Sequence, residues 1–371
     1  IELALTFLVI GCPGALVVAA PVATVAGLGH AAKRGILIKG GERLESIGRV
    51  DTIAFDKTGT LTRGKPRVTE VVPFDGDPER LLSLAAAAEQ RSEHHLAVAI
   101  LSYAEEAGIL PVPATEWHLE AGMGAVAETE EGTVLVGNRS LLASRDVALS
   151  AEEEEILAKH EQAGATIALV ALNKTTLGLL AITDPIRDDA FGLAESLRRT
   201  GVRHTVMLTG DHSAAARRVA GELDISEFQA GLKPEDKVAA IRQLQSRGRI
   251  VAMVGDGIND APALATADVA IAMGGSGTQA AIEAADITLM SDHVHKVVEA
   301  IDLSRRIMKV VRQNIVFAVL VVLVLLAGVI GRKVFLASGM LVHEASILIV
   351  IFNGMRLLKE DKRWPQTAPA S

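Results

Sequence analysis

The chain has 371 residues, a formal net charge of −8 and a hydrophobic content of 49%, enough for two or three domains. The acidic balance gives no support to nucleic acid as a partner, because phosphate backbones are held by surplus lysine and arginine. A single cysteine excludes an internal disulfide framework and any CxxC metal module.

Hydrophobic residues concentrate at 3–28, 315–330 and 334–358, each run approaching the roughly 20 residues that cross a bilayer as a helix. Within the first, "TFLVIGCPGALVVAAPVA" (6–23) places Cys12 directly before Pro13. A proline inside a helix removes a backbone hydrogen bond and crowds the preceding turn. In lipid the freed carbonyls must be met by protein, water or an ion. Cys12 therefore reads either as a small apolar residue in a kinked helix or as a ligand beside unsatisfied carbonyls. The chain opens on Ile1 inside this run, without a basic n-region or cleavage site, so the expectation is the C-terminal part of a longer polypeptide. Basic residues flank the apolar runs on the side of the long polar region: Lys33, Arg34 and Lys39, then Arg305, Arg306, Lys309 and Arg312. Arg356, Lys359, Lys362 and Arg363 follow the last run. This bias predicts an integral protein of the cell membrane, in contact with lipid, whose polar region and C-terminus are cytoplasmic.

"VDTIAFDKTGTLT" (50–62) reads as a buried strand ending in Asp56, then a Gly/Thr-rich turn. Open α/β sheets carry their reactive groups at the carboxyl ends of strands. The turn's amides, with Lys57 and Thr58, can meet phosphate oxygens. "TVMLTGD" (205–211) is a second apolar strand, ending in Thr209, Gly210 and Asp211. "LKPEDK" (232–237) offers Lys237 as a cation, and "RIVAMVGDGINDAPAL" (249–264) delivers Asp256, Asn259 and Asp260 onto one loop. Any one strand tip could be structural, but three in one chain converge on phosphoryl transfer. In that reading Asp56 is the nucleophile that forms an aspartyl phosphate. Mg²⁺, expected at Asp56, Thr58, Asp256 and Asp260, suits carboxylates plus phosphate. Lys237 and the amides around Thr209 offset the charge of the transferring group, and Asn259 supports the loop. No GxxxxGK[ST] run occurs, so a nucleotide is not held by a P-loop.

DKTGTLT, TGD and GDGINDAPAL resemble the heavy-metal-translocating P-type ATPases, in their zinc/cadmium/cobalt-like branch, and the likeness runs from residue 1 to about 358. It implies an α/β fold: a haloacid-dehalogenase-like, Rossmann-type phosphorylation domain with an inserted α+β nucleotide-binding domain, plus three transmembrane helices. Residues 1–28 would be a transmembrane helix with a Cys-Pro metal site, and 29–75 the linker and first part of the phosphorylation domain. The nucleotide-binding domain would span 76–176, the second part of the phosphorylation domain 177–300, two further transmembrane helices 306–358 and a cytoplasmic tail 359–371. Against the family's Ser-Glu-His-Pro and Gly-x-Gly elements, Glu93, His94, Gly122 and Gly124 match, while His95 stands in place of proline. Asp184 and Arg187 match a motif of the phosphorylation domain, though a surface ion pair explains them nearly as well.

By the same likeness Cys12 lies at the transported-ion site, where many relatives carry a second cysteine at the position of Gly14. His343 and Glu344 resemble the family's His-Glu-Gly element, with Ala345 replacing glycine. One thiolate, one imidazole and one carboxylate suit Zn²⁺, Cd²⁺ or Co²⁺. The resemblance thus implies ATP- and Mg²⁺-dependent export of a divalent heavy metal, with a copper-transporting ATPase as the alternative inside the family. A membrane-anchored dehalogenase-type phosphatase and a degenerate, non-pumping metal sensor are the alternatives outside it. An actuator domain with a Thr-Gly-Glu loop and further membrane helices are expected upstream in the same polypeptide, since no TGE tripeptide occurs here.

Overall fold

The computed structural model describes residues 6–9, 11–74, 76–257, 260–274 and 279–359. Asn259 and residues 360–371 of the expected tail lie outside them. The strands in chain order begin with β1 (Ile36–Ile38) and β2 (Thr52–Asp56). Six follow: β3 (Arg67–Pro73), β4 (Ala114–Glu120), β5 (Gly124–Thr129), β6 (Gly132–Gly137), β7 (Thr166–Leu172) and β8 (Thr175–Thr183). The last are β9 (His204–Leu208), β10 (Glu227–Gln229), β11 (Val251–Gly255), β12 (Val269–Met273) and β13 (Ile287–Leu289).

A seven-stranded sheet has the order β1-β13-β12-β11-β2-β9-β10. β12 runs parallel to β11 and β13, with Val254 opposite Ile271, and β9 parallel to β10, with Met207 opposite Phe228; β1 closes the far edge antiparallel to β13. β2, β11 and β12 are buried at every residue, the mark of short apolar strands in a sheet covered on both faces. By contact, the chain forms two compact units, one of Ile1–Ala54, Leu193–Thr205 and Pro234–Ser371, the other of Phe55–Gly192 and Val206–Lys233.

The second unit holds a six-stranded antiparallel sheet in the order β3-β8-β7-β6-β5-β4. Its helices begin where the sequence places strong caps. Asp77 accepts from the Glu79 amide ahead of Pro78, and Ser150 and Glu153 form a capping box; both devices satisfy amides a helix cannot bond internally. Helices Pro78–Glu89 and His95–Glu106 lay an alanine-rich stripe, including Ala85, Ala86, Ala99 and Ala104, on one sheet face. Leu141, Leu142 and Leu157 close the core of the other face. The sheet extends beyond the expected span 76–176: β3 and β8 pair with each other, Val71 opposite Leu180, so the entry and exit strands are part of the same sheet.

Among the described residues, three helices of the first unit are long and apolar enough to cross a membrane: Thr6–Lys33, Lys296–Ile330 and Leu336–Leu358. The first is broken at Cys12 and Pro13, and its regular part is Gly14–Lys33. The second is one 35-residue helix that starts at Lys296 rather than near 306. Its charged half stays helical because Val297, Val298, Ile301, Ile307 and Val311 are all buried. Small residues bring the helices close: an added Cβ on Gly27 would lie 2.2 Å from Ile307, and one on Gly354 2.8 Å from Val22. Buried Asn314 reaches the Ala19 and Val350 carbonyls (3.5 and 3.4 Å) and accepts from Asn353 (2.8 Å).

Candidate functional site

Asp56 closes β2, and the chain then turns through Lys57–Leu61, with Gly59 at φ +73°. That conformation costs a residue bearing a Cβ about 1–2 kcal/mol, which explains the glycine of DKTGTLT. Two residues beyond the end of β8 hold the turn. Arg187, 6% exposed, donates from Nε to the Thr62 carbonyl (3.0 Å) and from Nη2 to the Gly59 carbonyl (2.7 Å). Asp184 accepts from Thr62 Oγ1 and from the amides of Gly64 and Lys65, both at 3.2 Å. The pair is therefore tied to the loop backbone, a role the plainer reading as a surface ion pair does not contain.

Lys57 is buried and its ammonium meets the Asp211 carboxylate; Thr58 is exposed. Asp211 belongs to a turn stitched by backbone bonds. The Thr209 amide donates to the Gln229 carbonyl (3.0 Å), and the Leu232 amide donates back to Thr209 (3.0 Å). The Asp211 amide donates to Thr209 Oγ1 (3.1 Å), and an added Cβ on Gly210 would lie 3.3 Å from the Leu232 carbonyl oxygen. The Lys57–Asp211 pair thus joins the turn after Asp56 to the Thr209-Gly210-Asp211 turn, which the sequence separates widely.

In the same unit, His94 caps helix His95–Glu106, its Nδ1 accepting from the Leu96 amide (3.3 Å). That bond fixes the tautomer and leaves Nε2 free of it. The His95 ring lies 4.1 Å from that of His94. Desolvation and the neighbouring His94 hold the His95 pKa below its ordinary value, while Asp184 and Asp211 act in the opposite sense. Glu93 is exposed beside them. Gly122, at φ +72°, has nothing within 4 Å of an added Cβ, so open space borders the backbone there; the Asn138 amide group donates to its carbonyl (2.9 Å). Gly124 is a glycine for packing, since a Cβ would fall 2.1 Å from the Val136 carbonyl oxygen. Sequence reasoning missed Glu89, a buried acid five positions before His94 whose pKa burial pushes up to about 6, a hydrogen bond with Ser92 opposing the rise. It reads in the sequence as the end of an alanine-rich helix, and an acid inside such a stripe was the available signal.

In the first unit, Lys237 is buried on helix Pro234–Ser246, with Nζ 3.6 Å from Asp260 Oδ1. Both Asp260 oxygens are buried without a hydrogen-bond partner. Burial pushes the Asp260 pKa up; Lys237 opposes that rise and buried Asp256 adds to it. The carboxylate is pressed so close to the backbone that a Cβ on Gly255 would lie 1.9 Å from Oδ2. A buried carboxylate with no hydrogen bond to its oxygens, beside a second carboxylate, supplies donors that a hard divalent cation satisfies, so these residues fit Mg²⁺. Asn259 is outside the described residues.

Cys12 is exposed at the helix break. His343 is buried in helix Leu336–Met355, its Nδ1 without a hydrogen-bond partner. A Cβ on Gly14 would lie 3.0 Å from His343 Nε2, so the imidazole fills the space that a side chain at residue 14 would need. Glu344 is exposed. Among the described residues no three His, Cys, Asp or Glu side chains are grouped to hold a metal, so Cys12, His343 and Glu344 are not preassembled around one point.

A family model for haloacid dehalogenase-like hydrolases matches residues 50–268. The chain is 43% identical over 358 residues to the manganese-exporting P-type ATPase of Mycobacterium tuberculosis, covering 96% of this chain and 50% of that protein. It therefore spans about half the length of such relatives. A crystal structure of a zinc-transporting PIB-type ATPase in its E2.Pi state matches with a TM-score of 0.87 at 42% identity, over 96% of this chain and 58% of that one. The catalytic domain of the CPx-ATPase CopB-B matches with a TM-score of 0.61 at 31% identity, over 74% of this chain and 98% of that one. Together with the strand-tip aspartate and its clamped turn, these matches show that the chain belongs to the haloacid dehalogenase-like hydrolases and, among them, to the heavy-metal P-type ATPases.

Proposed function

We propose that the protein containing this chain is an ATP-driven exporter of a divalent transition-metal ion that is phosphorylated on Asp56. The observation that carries the reading is the Lys57–Asp211 pair, which links the turn after Asp56 to the Thr209-Gly210-Asp211 turn. Attack by the Asp56 carboxylate on the terminal phosphorus of ATP forms an acyl phosphate and releases ADP. The turn amides and Lys57 stabilise the incoming charge, while Arg187 and Asp184 keep the loop in one conformation. His94, with Glu93 and the open backbone at Gly122, takes the nucleotide base and sugar, while Gly124 lets the loop pack against β6. Lys237 offsets phosphoryl charge. Asp256 and Asp260, with Asp56 and Thr58, would hold Mg²⁺, which when bound neutralises phosphate oxygens.

For the transported ion, Cys12, His343 and Glu344 supply sulfur, nitrogen and oxygen. This borderline-soft set puts zinc, cadmium and cobalt ahead of manganese, an ion that prefers oxygen donors, and ahead of copper(I), which Gly14 deprives of a second thiolate. The ligands still lacking, the actuator domain and the remaining membrane helices are assigned to the half of the protein that the relatives carry beyond this chain. Catalytic domains on the cytoplasmic side follow from the basic residues flanking the apolar helices.

The test is acid-stable label from radiolabelled ATP on the full-length protein, with Zn²⁺, Cd²⁺, Co²⁺, Mn²⁺ and Cu⁺ compared. Label stimulated by Zn²⁺, Cd²⁺ or Co²⁺ and lost in Asp56→Asn is expected. Absence of label under every ionic condition, or label surviving in Asp56→Asn, overturns the reading.

A further inference from the structure

The charged half of helix Lys296–Ile330 grips the segment that leads into β2. Glu299 pairs with Arg34, at the end of helix Gly14–Lys33, and accepts from Lys296 (2.9 Å). Ser304 Oγ donates to the Leu44 carbonyl, an approach that requires glycine at 48, where a Cβ would lie 2.8 Å from the hydroxyl. Next to it, Arg305 donates from Nε to the Gly48 carbonyl (3.1 Å) and from Nη2 to the Val50 carbonyl (2.7 Å). These carbonyls lie at the open C-terminal end of helix Gly41–Arg49, where a helix has no partners of its own and where a cation meets the negative end of its dipole. Room for the guanidinium depends on residue 201 being glycine, because a Cβ there would lie 2.5 Å from Nη1.

The neighbouring residue is fixed from other sides. The Asp51 carbonyl accepts from the Arg203 and His204 amides (2.8 and 3.2 Å), and its Oδ1 from the Ile250 amide (3.2 Å). Thr52 then begins β2. At Val50, two residues ahead of Thr52, the helix that runs on through the apolar stretch 315–330 is thus bonded to the segment that leads into the strand carrying Asp56. The guanidinium suits this place because it bridges two carbonyls with one planar fork, which the point charge of a lysine does not.

We infer that Arg305 is a positioning residue for metal-dependent phosphorylation: its fork fastens the segment that leads into β2 to the membrane helix, so that metal occupancy in the membrane and the attack of Asp56 depend on one another. The inference rests on the functional reading above. It is tested on full-length Arg305→Gln and Arg305→Lys by measuring acyl phosphate formed from ATP across a metal titration, acyl phosphate formed from inorganic phosphate, and nucleotide affinity. In Arg305→Gln, phosphorylation by inorganic phosphate and nucleotide affinity stay within about twofold of wild type, while the metal concentration for half-maximal phosphorylation by ATP rises about tenfold or more. Arg305→Lys, with its charge kept and its fork lost, falls between the two.

An unchanged metal response in Arg305→Gln overturns the inference. So does a parallel fall of all three quantities in both variants, which marks a contact that only holds the fold. If wild type takes no phosphate by either route, the functional reading itself fails, an outcome separate from any difference between variant and wild type, and the inference falls with it.

Discussion

Arg187 reaches the Gly59 carbonyl across 128 positions of sequence, and its guanidinium holds the turn after Asp56 at two carbonyls. Arg187→Lys keeps a charge there but loses the paired geometry. The expected cost is about 1–3 kcal/mol, the range for buried groups left unpartnered, read as a lowered thermal midpoint together with slower acyl-phosphate formation. The two glycines of the candidate nucleotide loop respond differently to alanine. Gly124→Ala drives a Cβ into the Val136 carbonyl oxygen and the Gly137 Cα, at 2.1 and 2.6 Å, backbone atoms with nowhere to move. A loss of about 4 kcal/mol or more, at the extreme of single substitutions, and abolished nucleotide binding are expected. Gly122→Ala meets open space and costs about 1–2 kcal/mol from its positive φ alone, with the fold kept; thermal melts and nucleotide titration of both variants check the contrast. Glu89 gives a pH signature. Its folded pKa of about 6 lies above its ordinary value of 4.5, so the neutral acid favours the folded state. That contribution is complete below pH 4.5 and lost as pH rises through about 6, a change of about 2 kcal/mol. Glu89→Gln removes this slope from the pH dependence of stability, as melts between pH 4 and 7 would read.

At the scale of elements, the strand tips were legible because each motif is local: Asp56, Thr209 and Asp256 lie at the ends of short apolar runs that the sheet buries, His204 at the start of β9 excepted. Gly122 and Gly124 were legible for the same reason. What escaped the sequence depends on distant partners or on burial. The bonds of Arg187 and Asp184 to the loop are made across more than a hundred positions, and motif reading alone left them level with a surface ion pair. The acid at Glu89 is told apart from a solvated one only by its burial. The start of the second membrane helix at Lys296 was obscured by the charges at 299–312, since hydropathy marks where a helix is apolar and not where it begins. The sulfur and imidazole of Cys12 and His343 were visible as residue types, but the packing of His343 against residue 14 follows from two helices crossing, which no local pattern encodes.

At the scale of the whole molecule, one amide cluster ties the three apolar helices: Asn314 contacts two backbone carbonyls and Asn353, which also accepts from Arg356 (3.0 Å). Hydrogen bonds of this kind inside membrane helix bundles contribute about 1 kcal/mol. Asn314→Leu strands the Asn353 amide and is expected to lower the unfolding midpoint of the detergent-solubilised protein modestly, with nucleotide affinity unchanged. The 35-residue helix Lys296–Ile330 has a different consequence. At about 1.5 Å per residue it is a rod of about 50 Å, with no proline to bend it and glycine only near its final turn, at 328. Such a rod acts as a lever: a tilt of a few degrees about Arg305 is multiplied into ångströms of travel at the opposite leaflet.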